Sequence, residues 1–369
     1  MIPYIIPLLV TLFASYRYDS GKRHDFGNKF LKFFLFIYLT LLIGFRYKVG
    51  GDSLTYEIVF SSASDLSHWA YNWMHIYQPG YTFLEAISLS ITPNFYTFQL
   101  IHVFIVNSCL FIFIEKNTRY FFFTLLIIEY AIYLYFTTEI LREVLAVMTF
   151  ALSYPYYHKR KWLQYYICVI IAIHFHISAT FLLFLPILHS IRFDRRFFII
   201  IFVMYLSLPF LGKIISFFPI IDLSTKFESY DGLFVGYLFT FFSVLRGALF
   251  PLFYVCFIKC GSRRTLKFEN LICIMILFGL ASAVNPLIFG RSVNYFTLFY
   301  LISISNYLSE ALRSNKPLIK GNAIIIFTLF IATYSTSYLH IHQYKRYMPY
   351  SSIFNPIEYE RDHMKFESK

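Results

Sequence analysis

The chain has 369 residues, of which 58% are hydrophobic, 22% aromatic and 14% charged, whereas soluble domains carry roughly a quarter charged residues. That composition excludes an ordinary soluble globular protein. Lys and Arg number 32 against 20 Asp and Glu, for a net charge of +12, but the basic residues are scattered through short inter-helix loops. They read as a topology signal, so no nucleic-acid partner is expected.

Apolar runs recur from Met1 to His340 and approach or pass the ~18–20 residues that cross about 30 Å of hydrocarbon. The chain reads as an all-α, polytopic integral membrane protein. The first run, Met1 to Tyr16, lacks a basic n-region and a small-residue cleavage site, so it is expected to stay as a helix. Further spans are drawn at about 29–45, 96–115, 119–137, 140–157, 162–173, 174–190, 197–218, 234–258, 269–285, 292–311 and 321–339. This makes about eleven or twelve crossings. Basic clusters at Arg17–Lys29, Lys116–Arg119, Lys159–Lys161, Arg192–Arg196, Lys259–Lys267 and Arg313–Lys320 can all be cytoplasmic if 162–190 crosses twice or dips and returns, with His174-Phe175-His176 as an outward turn.

The same alternation places 46–95, the Thr138–Arg142 corner, 213–233, Pro286–Asn294 and the C-terminal tail on the outer side, which in a bacterium is the periplasm or exterior. Pro79 to Ile91 is apolar but too short to cross and follows Trp69, Tyr71, Trp73 and Tyr77, which fits an interfacial or re-entrant helix. Cys109, Cys168, Cys256, Cys260 and Cys273 lie almost entirely in apolar segments without ligand spacing, so they read as packing residues. One membrane domain over 1–344 accounts for the chain, and the polar tail 345–369 is expected to be mobile.

Ionisable residues in or beside apolar helices need an explanation, because each is costly unless paired or facing a wet cavity. Five positions stand out. In Phe45-Arg46-Tyr47-Lys48-Val49-Gly50-Gly51-Asp52, Arg46 can grip an anionic head group, or it can snorkel beside a turn capped by Asp52. In Thr138-Glu139-Ile140-Leu141-Arg142-Glu143, Glu139 and Arg142 are three apart. They form either an intrahelical ion pair or a site in which Arg142 shares a cavity with Arg46. His174 and His176 fall on different helical faces, which argues against a two-His metal site and leaves one as a general base or phosphate partner. Arg246 sits mid-span before Gly247, and Arg291 enters a span just after Asn285-Pro286. Four arginines suggest an anionic ligand, since a guanidinium fork matches phosphate oxygens.

The run from Phe45 to Asp52 and on to Tyr56, Pro79-Gly80-Tyr81, Leu141-Arg142 with Leu145-Ala146, Phe175-His176-Ile177-Ser178-Ala179 and Arg346-Tyr347-Met348-Pro349-Tyr350 together resemble the EpsG-like branch of Wzy-type polysaccharide polymerases. The match covers nearly the whole chain in order. It departs where the family usually has Gly-Thr-Asp and this chain has Gly50-Gly51-Asp52, and His174 stands where the family has a small residue or Leu.

The resemblance implies a GT-C-like membrane glycosyltransferase of the bacterial inner membrane, with its active site facing the periplasm or exterior. It would join undecaprenyl-pyrophosphate-linked oligosaccharides into O antigen or a related surface polysaccharide. Both donor and acceptor would be lipid-linked, a chain-length regulator and a flippase would be the partners, and no cofactor, metal or nucleotide sugar is expected. On that reading Arg46, Arg142 and Arg291, with Arg246 if the cavity reaches it, bind pyrophosphate. His176 activates the acceptor hydroxyl or contacts phosphate, with Asp52 or Glu139 as the alternative base. Tyr56, Tyr81 and His174 complete the substrate-binding set, and Trp69, Trp73 and Tyr77 either stack on sugars or form an interfacial belt. A lipid-oligosaccharide flippase and an O-antigen ligase are the competing functions.

Overall fold

The computed structural model describes residues 2–19, 26–72, 77–217, 237–262, 266–339 and 344–357, which are mostly helical and whose only β-pairing is isolated bridges. Among the described residues six helices are long and apolar enough to cross a membrane, and four apolar helices of 10–17 residues are shorter. Six of the expected spans therefore meet the length and hydropathy of a crossing, and the protein is an all-α, multi-pass membrane protein.

By its contacts the chain forms two compact units. The first comprises Met1–Leu183 with Tyr338–Glu367, and the second Phe184–Ser337 with Ser368–Lys369.

The first unit begins with α1 (Ile2–Tyr18) and α2 (Phe26–Gly44), continues through the short helices α3 (Ser53–Ser61), α4 (Trp69–Asn72) and α5 (Pro79–Ile91), and returns in α6 (Phe95–Asn117). Asn94 caps α6 by accepting the Tyr96 amide, and Pro79 opens α5 at a position where no amide donor is needed. Helix α7 runs from Phe121 to Thr138 with one wide turn at Glu129–Tyr133. Its first amides at Phe122 and Phe123 are satisfied from a distance by the Asp19 carboxylate, at 3.4 and 2.7 Å. Helix α8 (Leu141–His158) packs on α9 (Trp162–Phe175) and α6, while α5 packs on α6 and α9. Hydrogen bonds between helices replace water inside this unit: Tyr133 donates to Asn107, which donates to Thr40.

Helix α9 ends at Phe175, His176 is extended, and a 3₁₀ helix follows over Ile177–Ser190. The Tyr165 hydroxyl donates to the Leu182 carbonyl at 2.8 Å, so the chain doubles back on itself. The chain thus reverses within 162–190, with the histidines at its turn.

The second unit contains α10 (Arg195–Phe217), α11 (Tyr237–Val244, a wide turn at Leu245–Leu249, then Phe250–Ser262), α12 (Glu269–Ala281), α13 (Pro286–Leu312) and α14 (Pro317–Leu339). Helix α13 is buried along most of its length and packs on α12. A Cβ on Gly279 would collide with the Gly247 backbone, so two glycines set the close approach of α11 and α12. Cys109, Cys168, Cys256 and Cys273 carry unbridged thiols. The Cys260 side chain and residues 218–233 of the expected outer loop lie outside the described residues.

Of the tail expected to be mobile over 345–369, residues 358–369 lie outside the described residues, and the described part departs from that expectation. Residues 344–357 are docked, with Tyr347 and Ser351 buried. The Tyr47 amide donates to Ser351 at 2.9 Å, the Ile353 amide to Phe45 at 3.0 Å, and the Gly50 amide to Arg346 at 3.0 Å. Tyr350 donates to the last turn of α2 at Leu42, and Tyr4 of α1 donates to Tyr347. Polar composition suggested mobility, but backbone hydrogen bonds hold the segment in place.

Candidate functional site

The loop leaving α2 is built around Arg46, which is fully buried. Its Nε donates to the Val49 carbonyl at 3.1 Å and one terminal nitrogen to Ile43 at 2.8 Å. Gln99 of α6 ties the same turn by donating to the Gly44 and Arg46 carbonyls. Burial lowers the Arg46 pKa to about 10, so the guanidinium remains charged at neutral pH. Two of its three guanidinium nitrogens thus brace its own loop, a scaffold role beyond the expected pyrophosphate grip, while Nη2 is buried without a hydrogen-bond partner.

Gly50 lies at φ +109°, and a Cβ there would come within 2.7 Å of the Thr138 carbonyl oxygen. Gly50→Ala combines that collision with a left-handed backbone, which costs roughly 1–2 kcal/mol by itself. It is expected to lower the melting temperature of the detergent-purified protein by several degrees, and an unchanged thermal transition would contradict this account of the loop.

Glu139 and Arg142 do not form the intrahelical pair that their spacing allows. Ile140 departs from helical geometry at φ −108°, ψ 50°, so α8 starts after Glu139. Glu139 instead accepts the Gly51 amide at 2.7 Å and a Tyr347 hydroxyl, and lies 3.5 Å from Arg346. Burial raises its pKa, which Arg346 and the Gly51 amide partly offset. Gly51 is needed here because a Cβ would sit 2.6 Å from the Glu139 carboxylate. Glu139 is a latch between the glycine turn and the C-terminal segment. Asp52 is exposed at the start of α3, within electrostatic reach of Glu139, Tyr56 and Tyr77.

Arg142 points into a tyrosine cluster. Its guanidinium carbon lies 3.9 Å from the centre of the Tyr77 ring, it donates to the Gln78 amide oxygen at 3.3 Å, and it hydrogen-bonds Tyr56. Tyr56, Tyr77 and Tyr81 form a triangle with ring centres 5.6–6.1 Å apart. Among the described residues no carboxylate forms an ion pair with Arg142. Glu85, one turn beyond Tyr81 on α5, is buried and within electrostatic reach of Arg142. Sequence reasoning passed over Glu85 and Gln78. The signal for Glu85 was its place as the one charged residue between Pro79 and Ile91.

His176 is buried at the turn after α9, and the Ser178 amide donates to its Nδ1 at 3.2 Å. The Ser178 hydroxyl lies 2.6 Å from the same Nδ1, so Ser178 engages this nitrogen twice. His174 is exposed and bonds the Ile170 carbonyl of its own helix at 2.7 Å, while its carbonyl abuts Gly80 of α5. Trp69 donates its indole N–H to Thr82 at 3.1 Å, and Trp73 lies outside the described residues.

Arg246 and Arg291 belong to the second unit. Arg246 lies in the wide turn of α11, where its Nε donates to Phe242 at 3.1 Å. Arg291 is half-buried early in α13, after the Asn285 cap that accepts the Leu287 and Ile288 amides. Among the described residues no three His, Cys, Asp or Glu side chains gather as a metal site.

The arrangement that emerges in the first unit is a cation held by neutral aromatic and amide groups beside a buried carboxylate, suited to an anionic, polyhydroxylated ligand. No curated protein and no solved structure matches the sequence. The profile of the EpsG family matches residues 29–352, which is most of the chain. The sequence that carries the glycine turn, the Arg142 cluster and the docked C-terminal segment thus falls within one family match, and the protein belongs to the EpsG family.

Proposed function

We propose that this protein is a membrane polysaccharide polymerase that joins lipid-pyrophosphate-linked oligosaccharide repeat units. Family membership supports the polymerase-like role. The observation that carries the finer reading is the state of Arg142. Its guanidinium is preorganised by Tyr77, Gln78 and Tyr56, all of them neutral groups, and has no carboxylate ion-pair partner among the described residues. A guanidinium held this way suits the bidentate grip of a pyrophosphate and stabilises the charge that develops on it as the anomeric bond breaks.

The donor is the growing glycan on undecaprenyl pyrophosphate and the acceptor a sugar hydroxyl of the next lipid-linked unit. Pyrophosphate is an activated leaving group, so the reaction needs neither a nucleotide sugar nor a metal. The reading places the site at the outer face of the inner membrane, served by a flippase and a chain-length regulator, with O antigen or a related surface polysaccharide as product.

The test is the fate of lipid-linked units in cells lacking the gene. Single repeat units that accumulate and are open to an added glycosidase on the outer face of spheroplasts are the expected result. Units that accumulate out of its reach would overturn the reading in favour of transport.

A further inference from the structure

Three polar atoms in the Arg142 cluster have no hydrogen-bond partner despite being buried: Glu85 Oε1, the Tyr81 hydroxyl and Arg142 Nε. Glu85 is 1% exposed and Tyr81 fully buried, and they lie one turn apart on the same face of α5. A buried polar group without a partner costs about 1–3 kcal/mol, so three in one cluster call for a ligand that supplies hydrogen bonds. The cluster grades from half-exposed Tyr77, Gln78 and Arg142 to buried Tyr56, Tyr81 and Glu85. Its lining is aromatic, with a cation at the exposed end and a carboxylate at the buried end. An alcohol placed beside an anion held by Arg142 fits that order of groups.

Resting on the polymerase reading, we propose that Glu85 is the proton acceptor of the reaction, taking the proton of the acceptor sugar hydroxyl beside the pyrophosphate bound by Arg142. The acceptor O–H bond breaks and its proton passes to the Glu85 carboxylate. The oxygen forms the new bond to the anomeric carbon of the donor. The bond from that carbon to the pyrophosphate oxygen breaks, and its electron pair leaves on the lipid pyrophosphate, where Arg142 offsets the charge. Glu85 then returns its proton to solvent. Tyr81 donates to the acceptor sugar from the same helix face and holds it in line.

Two observations favour Glu85 over two of the three bases expected from sequence: Ser178 engages the His176 Nδ1, and Gly51 and Arg346 engage Glu139. Burial also pushes the Glu85 carboxyl up to about 8, against the pull of Arg142, which makes the ionised form a stronger base near neutral pH. The titratable groups around it are Tyr81 on its own helix, Tyr77 from the preceding turn, Tyr56 of α3 with Asp52 behind it, and Arg142 of α8. Neighbouring α6 and α9 contribute His102, bonded to the Leu141 carbonyl, and exposed His174.

The experiment uses the full chain in proteoliposomes, supplied with undecaprenyl-pyrophosphate-linked repeat units isolated from cells lacking the gene. The initial rate of polymerisation is measured against pH. The wild-type rate is expected to rise with pH along a limb near 8, as a base must lose its proton to act. Glu85→Gln is expected to cut the turnover rate by about 10²–10⁴-fold with little change in donor KM. Glu85→Asp is expected to keep a measurable rate with a displaced limb, which guards against misfolding of the Gln variant. Wild-type polymerisation with Glu85→Gln retaining its rate within threefold and the same limb would overturn the role of Glu85 and leave the polymerase reading standing. Wild-type protein that forms no polymer from these units would overturn both.

Discussion

Replacing Arg142 by alanine is expected to abolish polymer while leaving the protein inserted and folded. The side chain is half-buried, and its hydrogen-bonding partners are Tyr56 and half-buried Gln78, neutral groups that leave no buried charge uncompensated when the guanidinium is removed. The structural cost is that of one cation–π contact and two hydrogen bonds, of order 1–3 kcal/mol in sum. The functional cost is larger. A preorganised donor aimed at developing charge contributes about 10²–10³-fold to turnover, and loss of the ground-state anion contact adds to that. Polymerisation is therefore expected to fall by about 10³-fold or more. Arg142→Lys should recover little, since an ammonium can neither stack flat on Tyr77 nor present a two-pronged donor. The check is the yield of polymer per molecule of membrane-extracted protein. Alanine and wild type giving equal yields would remove Arg142 from the reaction.

Arg46→Ala has the opposite signature. The Ile43 and Val49 carbonyls would lose their arginine donor inside a loop closed to water. The Ile43 carbonyl keeps the residue-46 amide at 3.4 Å, so Val49 is the acceptor left stranded, at roughly 1–3 kcal/mol before counting the cavity left by a fully buried side chain. Whole domains are stable by only about 5–15 kcal/mol, so the variant is expected to be depleted from membranes and to be cleaved near the 43–52 turn by added protease. The same turn carries the backbone bonds to 346–353, so that segment should loosen with it. The measurements are protein abundance in the membrane fraction and limited proteolysis. Normal abundance and an unchanged digest, together with lost activity, would return Arg46 to the substrate.

The contrast between the two arginines marks where sequence stops being informative. Both flank apolar runs, and spacing offers each the same choice between ligand and scaffold. What separates them is that local carbonyls take two of the three Arg46 nitrogens, and that depends on how the 43–49 turn closes. Glu139 and Arg142 show the same limit. The i, i+3 rule holds only within one continuous helix, and a non-helical Ile140 cancels it.

Hydropathy located much of the helical frame, and Pro79–Ile91 was bounded as the structure has it, because Pro at the first turn and an apolar run too short to cross leave little latitude. The reversal at His174–His176 was also legible, through the requirement that neighbouring basic loops share one side. Docking of 344–357 was not, since it depends on main-chain hydrogen bonds that any polar sequence can make. Glu85 was legible in principle. A carboxylate alone in an apolar helix is the kind of residue the membrane does not explain, but it sits outside the family-like motifs that drew attention.

The measurement that tests the central claim most directly is an electrophoretic glycan ladder from cells lacking this gene, complemented with wild type or with Arg142→Ala. A single repeat unit on the terminal acceptor in the deletion, a full ladder with wild type and a single unit again with Arg142→Ala is the result predicted for a polymerase whose Arg142 acts on the substrate. A ladder that persists in the deletion, or that Arg142→Ala restores in full, would contradict it.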